Sequence, residues 1–408
     1  MKFALAFILF LAAVIVLVPF VLKSDGTQRG MVQITLAYSM SVMNIILSLL
    51  VIFLATTLFC ADLRDRVIFT LDTKPVHRWQ FMLGKWLGIS FLNIAVLAVL
   101  GGAVYGLVMY IGRPAAAVDE QDYLIMRSEI LTARAQSAAG GEPGQREFIV
   151  PYNAEQLWVF EGVRPAADEV YVTLRFKQHS AAAAADEDEE IPGVWVIGDL
   201  QGDYYVRALS FPEGELNEFR VPVSVIENGG TVRVRWRNLS RERASVIFPR
   251  ADMNILYTAG TFGANLFRSL LMIFIRLSFL AAVGLAASTF LTFPVATLLT
   301  LFLFIMSLSL PTIMALFMPG VPVPGAEAAA EPHGLFLIAL RRGLAASLQV
   351  LPNLRAYDPV PSLVDGLLIS WMHVIRAFFT TFILRSGIAG LLGVLIFNRR
   401  EIAHMGYD

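Results

Sequence analysis

The sequence predicts a polytopic α-helical membrane protein with six transmembrane helices and an inserted extracytoplasmic β-sandwich-like domain. Three observations predict it. The chain is 56% hydrophobic and only 16% charged, against about a quarter charged in ordinary soluble domains. Apolar runs of about 20 residues, the length that crosses about 30 Å of hydrocarbon, recur on both sides of a polar middle. Within that middle, an alternation of apolar and polar residues replaces the long runs.

The runs are Phe3 to Leu22, Val32 to Cys60, Phe81 to Ile111, Leu270 to Phe290, Val295 to Phe317 behind Pro294, and Ala377 to Phe397. The first also reads as a signal peptide, because Lys2 supplies a positive start. Its apolar core exceeds the usual 7–15 residues, and no small-x-small cleavage site follows, so a span is the better reading. Short-loop cations set orientation. Arg64, Arg66, Lys74 and Arg78 lie between the second and third runs, Lys85 lies in the inner end of the third, and Arg399 and Arg400 follow the last. Both termini and the segment 61–80 are therefore expected in the cytoplasm of a cell whose plasma membrane the chain crosses. Residues 1–111 form a first membrane block, 112–253 an extracytoplasmic domain, and 254–408 a second block with outer interfacial or re-entrant helices over 334–375.

Four arginines fall in or beside the later runs. An arginine at a helix centre costs about 2.5–3.5 kcal/mol on insertion scales, so each must snorkel, pair or face a wet path. Arg268, Arg276 and Arg376 lie near outer ends, where snorkelling suffices. Arg385 is deeper and is the expected intramembrane polar or pathway residue. Cys60 is the single cysteine, which excludes an intrachain disulfide.

In the polar middle, Ala115 to Ala138 is rich in helix formers and reads as a helix ended by Gly140-Gly141. Half-buried strands follow at Val170 to Lys177, Gly193 to Ile197, Tyr204 to Leu209, Glu218 to Val223 and Thr231 to Trp236, with Asn228-Gly-Gly230 as a hairpin turn. The segment Ala181 to Glu190, five alanines and five acidic residues, lacks the spacing and glycine of an EF-hand and reads as a solvated loop. Pro319 to Pro332 reads as a linker, and Asn238-Leu-Ser240 matches a glycosylation sequon.

Enzyme chemistry is hard to assemble. The histidines are scattered, with no H-E-x-x-H or Cys/His cluster, no G-x-S-x-G elbow and no G-x-x-x-x-G-K-[ST] phosphate loop. No metal site and no directly bound cofactor are expected. A net charge of -1 argues against nucleic acid as a partner.

The segment between the second and third runs has a pattern of its own. Val67, Ile68 and Leu71 share one helical face while Arg64, Asp65 and Asp72 project elsewhere. Pro75 then suits the first turn of a new helix that carries Arg78. On residues alone, a topology-setting basic loop and a partner-docking element are equally good readings.

The run Thr70-Leu-Asp-Thr-Lys-Pro-Val-His-Arg-Trp-Gln-Phe-Met-Leu-Gly-Lys85 resembles the signature of ABC-2 type permeases, the membrane subunits of ATP-binding-cassette exporters. Weaker echoes are Ala287-Ser-Thr-Phe-Leu-Thr-Phe-Pro-Val-Ala296, Leu351-Pro-Asn-Leu-Arg-Ala-Tyr-Asp358 and Phe397-Asn-Arg-Arg-Glu-Ile402. The resemblance implies an exporter permease that pairs with a second permease subunit in the lipid bilayer. A separate cytoplasmic ABC ATPase subunit would bind ATP and Mg. It further implies that Arg64, Asp65, Val67, Ile68, Leu71, Asp72, Pro75 and Arg78 form the ATPase-coupling site. The domain over 112–253 exceeds the family's usual short loop, which implies a specialised exporter. The rival reading is a membrane-anchored receptor or assembly scaffold whose β-domain binds glycan, lipid or protein. Trp158, Trp195 and Trp236 would be its outer face, although alternation more often makes such residues core.

Overall fold

The computed structural model describes residues 27–65, 77–113, 120–142, 145–167, 169–180, 190–199, 203–227, 229–240, 245–317 and 353–399. The chain divides into two compact units. One comprises Met1–Tyr123, Gly263–Val364 and Ile369–Asp408, and the other Leu124–Phe262 with Asp365–Leu368.

Among the described residues, the helical unit has five helices long and apolar enough to cross a membrane: α1 (Gln28–Arg64), α2 (Arg78–Ile111), α4 (Phe262–Ser288), α5 (Phe293–Phe317) and α7 (Trp371–Arg399). The first predicted run, Phe3 to Leu22, lies outside the described residues. Helix α1 turns one continuous face inward, with Val32, Leu36, Met40, Met43, Leu47, Val51, Ala55 and Phe59 almost fully buried at spacings of three and four. Its Thr27 cap accepts a hydrogen bond from Gly30 N at 3.0 Å.

Helices α1 and α2 run antiparallel and are fastened at both ends. At one end the Gln28 amide donates to the Ile111 and Arg113 carbonyls at 3.0 and 2.8 Å, closing the C-terminus of α2. At the other, Lys85 forms an ion pair with Asp62. Where helices come closest, glycine or alanine lets the backbones approach. A side chain on Gly101 would overlap Leu270, a Cβ on Gly284 would lie 3.0 Å from that of Ala55, and one on Gly393 would lie 3.0 Å from the Ala286 backbone.

Helix α7 begins at Trp371, capped by the Ser370 hydroxyl, and its middle, Phe378–Arg385, is wound as a π-helix. Within the outer segment expected over 334–375, residues 362–374 are not one continuous helix. That stretch holds the short α6 (Val360–Val364), a bend at Gly366 and the first turn of the last long helix. Gly334 to Leu351 falls outside the described residues.

The second unit opens with α3 (Glu120–Glu129), whose first residues precede it, and continues, among the described residues, as eleven strands in three antiparallel sheets. These are β1 (Thr132–Ala138), β2 (Glu147–Pro151), β3 (Glu155–Phe160), β4 (Tyr171–Lys177), β5 (His179–Ser180), β6 (Glu190–Gly198), β7 (Tyr204–Pro212), β8 (Leu216–Pro222), β9 (Val232–Asn238), β10 (Ser245–Pro249) and β11 (Asn254–Thr261). The sheet orders are β1-β11-β4-β8, β2-β10-β5 and β3-β9-β6-β7.

Two expectations are corrected here. The helix expected over Ala115 to Ala138 stops at Glu129, and Thr132–Ala138 is an edge strand on β11, with Ala135 opposite Tyr257. Alanine, arginine and glutamine favour helix locally, but pairing and the burial of Ala133 and Arg134 override that weak preference. At the expected hairpin turn, Glu227 and Thr231 form a bridge and Gly229 and Gly230 have positive φ, while Asn228 lies outside the described residues. The turn does not join paired strands, however. Strand β8 pairs with β4, and β9 with β3 and β6, so the chain changes sheet there.

One core serves all three sheets. Trp158, Trp195 and Trp236 are 0%, 0% and 1% exposed, which removes them as an outer recognition face. They form an aromatic cluster in which Phe176 lies 4.6 Å from Trp195 and Phe248 lies 4.8 Å from Trp236 between ring centroids. Gly193 is where Trp236 crosses β6, since a Cβ there would overlap the indole nitrogen. Asn238 is fully buried, with its amide donating to Val150 O at 3.2 Å and accepting from Ser240 N at 2.9 Å. In the folded domain the sequon is therefore closed to glycan attachment.

Candidate functional site

At one end of the helical unit, stretches far apart in sequence meet. Phe59 near the end of α1 lies 6.2 Å from Phe81 in the first turns of α2 and 5.5 Å, edge on, from Phe397 at the end of α7. Thr56 and Thr297 share a hydrogen bond of 2.9 Å, which brings the start of α5 to the same place. Three of the stretches singled out in the sequence, around Arg78, Ala287 to Ala296 and Phe397, thus converge on the ends of α1, α2, α4, α5 and α7.

Arg78 organises this end. Its Nη1 donates to Phe397 O at 2.7 Å and to Asn398 O at 3.4 Å, and its guanidinium lies 5.2 Å from the Phe397 ring centroid. Carbonyls in the last turn of a helix have no intrahelical donors, and the helix dipole makes them attractive to a cation. Arg78 therefore completes the C-terminus of α7 from the N-terminus of α2. The N-terminus of α2 is closed in turn by the Gln80 side chain, which accepts from His77 N at 3.1 Å.

Among the other residues expected at the coupling site, Arg64 and Asp65 form a solvent-exposed pair at 3.3 Å, an arrangement worth under about 1 kcal/mol. Their side chains are open to a partner. Val67, Ile68, Leu71, Asp72 and Pro75 lie outside the described residues. Asp62 and Lys85, which flank that segment, are the paired charges here, each less than a quarter exposed at the side chain.

At the opposite end of α4 lies a second polar constellation. Arg276 is 4% exposed; its Nη2 donates to Leu354 O at 2.6 Å, with Asp358 Oδ1 at 4.0 Å. Arg268 donates to Ile369 O at 3.2 Å and sits over the Trp371 ring. Asn265 accepts from Ile369 N at 2.9 Å. Of the four arginines Arg276 is the most buried within the chain, while Arg385, the expected pathway residue, is half-buried and Arg376 exposed. Among the described residues, no group of three or more His, Cys, Asp or Glu side chains is placed to hold a metal ion.

No family model and no curated protein matches the chain. Among solved structures, the enzymatically active domain of tailspike protein 4 from Bacteriophage CBA120 is 13% identical over 32% of this chain and 19% of that one, with a TM-score of 0.19. The chain thus spans about a fifth of that protein's length, and a likeness so slight carries no argument. The fold itself defines the class: helices long and apolar enough to cross a membrane, joined in one chain to a β-sheet unit.

Proposed function

We propose that the chain is the permease subunit of an ATP-binding-cassette exporter of the ABC-2 type, moved by a separate cytoplasmic ATPase that binds ATP and Mg. A second permease subunit, identical or different, would complete the pathway in the plasma membrane. The observation that carries the proposal is the convergence at Arg78. The signature run begins a helix whose first residue completes the end of the last helix, and the Asp62–Lys85 pair ties the flanks of the segment to each other. A push on residues 66–76 would then reach α1, α2 and α7 together rather than a loose loop. The rival receptor reading has lost its recognition face, because the tryptophans that would form it are core.

Coexpression with the ATPase subunit tests the proposal. Reversing the exposed pair, Arg64→Glu with Asp65→Lys, is expected to lower copurification of the ATPase about tenfold while leaving the melting temperature of the permease unchanged. Unchanged copurification together with unchanged stimulation of ATP hydrolysis rejects it. So does labelling that places residues 66–76 outside the cell.

A further inference from the structure

The helical unit holds an apolar groove of about 390 Å³ between α2, α4 and α7, within the usual range for small-molecule sites of about 300–1,000 Å³. Its walls include Trp79, Met82 and Trp86 of α2 and Phe382, Gly387 and Gly390 of α7. Away from Trp79 at the mouth, the side-chain polar atoms on these walls are already used. Trp86 Nε1 donates to Ser278 O at 2.8 Å, and Ser386 Oγ donates to Thr381 O at 3.0 Å. A sugar, peptide or nucleotide would find nothing there to replace its water, whereas hydrocarbon would lose nothing.

Two glycines keep the groove open. Each costs about 1 kcal/mol against alanine inside a helix, yet the space where their Cβ atoms would stand is empty within 4 Å. From Trp79 to Trp86 the groove follows about 10 Å of helix. Its mouth has a different character. Trp79 is 51% exposed and adjoins Arg78, and α7 ends there in the exposed Arg399. Tryptophan with arginine at the ends of two spans is the arrangement found at headgroup depth, and the cations complement a phosphate.

We propose that this groove is a binding site for an anionic phospholipid, with one acyl chain lying along Gly387 and Gly390 and the phosphate beside Arg78 and Arg399. The site requires only that the helices lie in a bilayer. It stands or falls independently of the exporter reading, because its test uses neither ATP nor a partner.

Native mass spectrometry of the full chain, purified in mild detergent and offered phosphatidylglycerol or phosphatidylcholine, reads the site directly. One phosphatidylglycerol per chain is expected, favoured over phosphatidylcholine at least threefold. Gly390→Leu and Gly387→Leu, which fill the groove, are expected to lower retention at least fivefold. Gly106→Leu, equal bulk on an exposed helical position outside the groove, should retain the lipid, and Arg399→Gln should abolish the headgroup preference; melting temperatures confirm that each variant folds. Retention indifferent to headgroup and to both groove variants would mean only annular lipid and overturn the proposal. Disulfide-linked dimers of Leu391→Cys in a Cys60→Ser background would also overturn it, by showing that a second copy covers the groove.

Discussion

Arg276 donates to the backbone carbonyl of Leu354 at 2.6 Å, 78 residues further along the chain. Positions 265, 268 and 276 fall on one face of α4 by helical geometry, and from that face Asn265 and Arg268 bind both polar groups of the Ile369 backbone. An irregular segment beside apolar helices cannot leave its amides and carbonyls unpaired. The polar residues of α4 are therefore held in place by the needs of the segment before α7. Packing of Met272 and Ile275 against Ile369 and Val374 adds an apolar contact on the same side.

Removing the guanidinium should expose that dependence. Arg276→Met leaves the Leu354 carbonyl buried without a donor, at a cost of about 1–3 kcal/mol. The expected result is a lower melting temperature and faster proteolysis between residues 353 and 370. Arg276→Lys, which can still supply one donor, should recover part of the loss. Wild-type stability in the methionine variant would show that water or lipid satisfies the carbonyl instead.

The Asp62–Lys85 pair flanks the segment over 66–76, the proposed coupling element. Both side chains are less than a quarter exposed, so the pair is screened less than a surface pair, while desolvation offsets part of its attraction. A double-mutant cycle with Asp62→Asn and Lys85→Met, read by denaturant unfolding, is expected to give a coupling energy of about 1 kcal/mol. In the proposed complex with an ATPase the same variants should lower ATP-driven turnover more than ATPase copurification, since Arg64 and Asp65, the proposed docking residues, are untouched. Equal losses in both would place the pair in the docking surface.

Arg78 is predicted to act through Phe397. Arg78→Gln keeps a donor but loses the charge that suits a helix C-terminus, a loss of about 0.5–2 kcal/mol. Hydrogen exchange should rise in the last turns of α7, near Asn398, with α2 beyond its first turn little changed. Exchange that rises only in α2 would contradict this role.

Much of this architecture is legible in the sequence where one periodicity rules a long stretch. The runs at Val32, Phe81, Leu270 and Val295 correspond to α1, α2, α4 and α5, because nothing but hydrophobicity decides them. Strands β4, β6, β7 and β9 were legible from valine and aromatic alternation. Strand β1 was not, because its residues favour helix and only its pairing with β11 makes it a strand. Nor was β11, whose apolar residues run directly into α4 and blur the change of period. At the candidate site, Arg78 and Phe397 each stood in a recognisable stretch, but 319 residues separate them and neither carries a local sign of the other. Depth along a single helix ranked Arg385 above Arg276, because such a count omits the carbonyls that another segment brings.

Gly366 tests the β-sheet unit, to which residues 365–368 belong. Arg134 N donates to Gly366 O and Leu368 N to Arg134 O, both at 2.8 Å, and the Arg134 guanidinium reaches Asp365 O at 2.8 Å. Gly366 has φ of +65°, and a Cβ there would overlap the Glu129 carbonyl oxygen. Gly366→Ala must therefore either shift the backbone or break the bridge to β1, and backbone strain alone costs about 1–3 kcal/mol. Thermal unfolding followed by tryptophan fluorescence is expected to move down by several degrees, with amide exchange rising in β1. Gly214→Ala, also at positive φ but with nothing within 4 Å of the new Cβ, should cost less. If the two variants melt together, the close approach to Glu129 has no energetic consequence and the conformation alone accounts for the glycine.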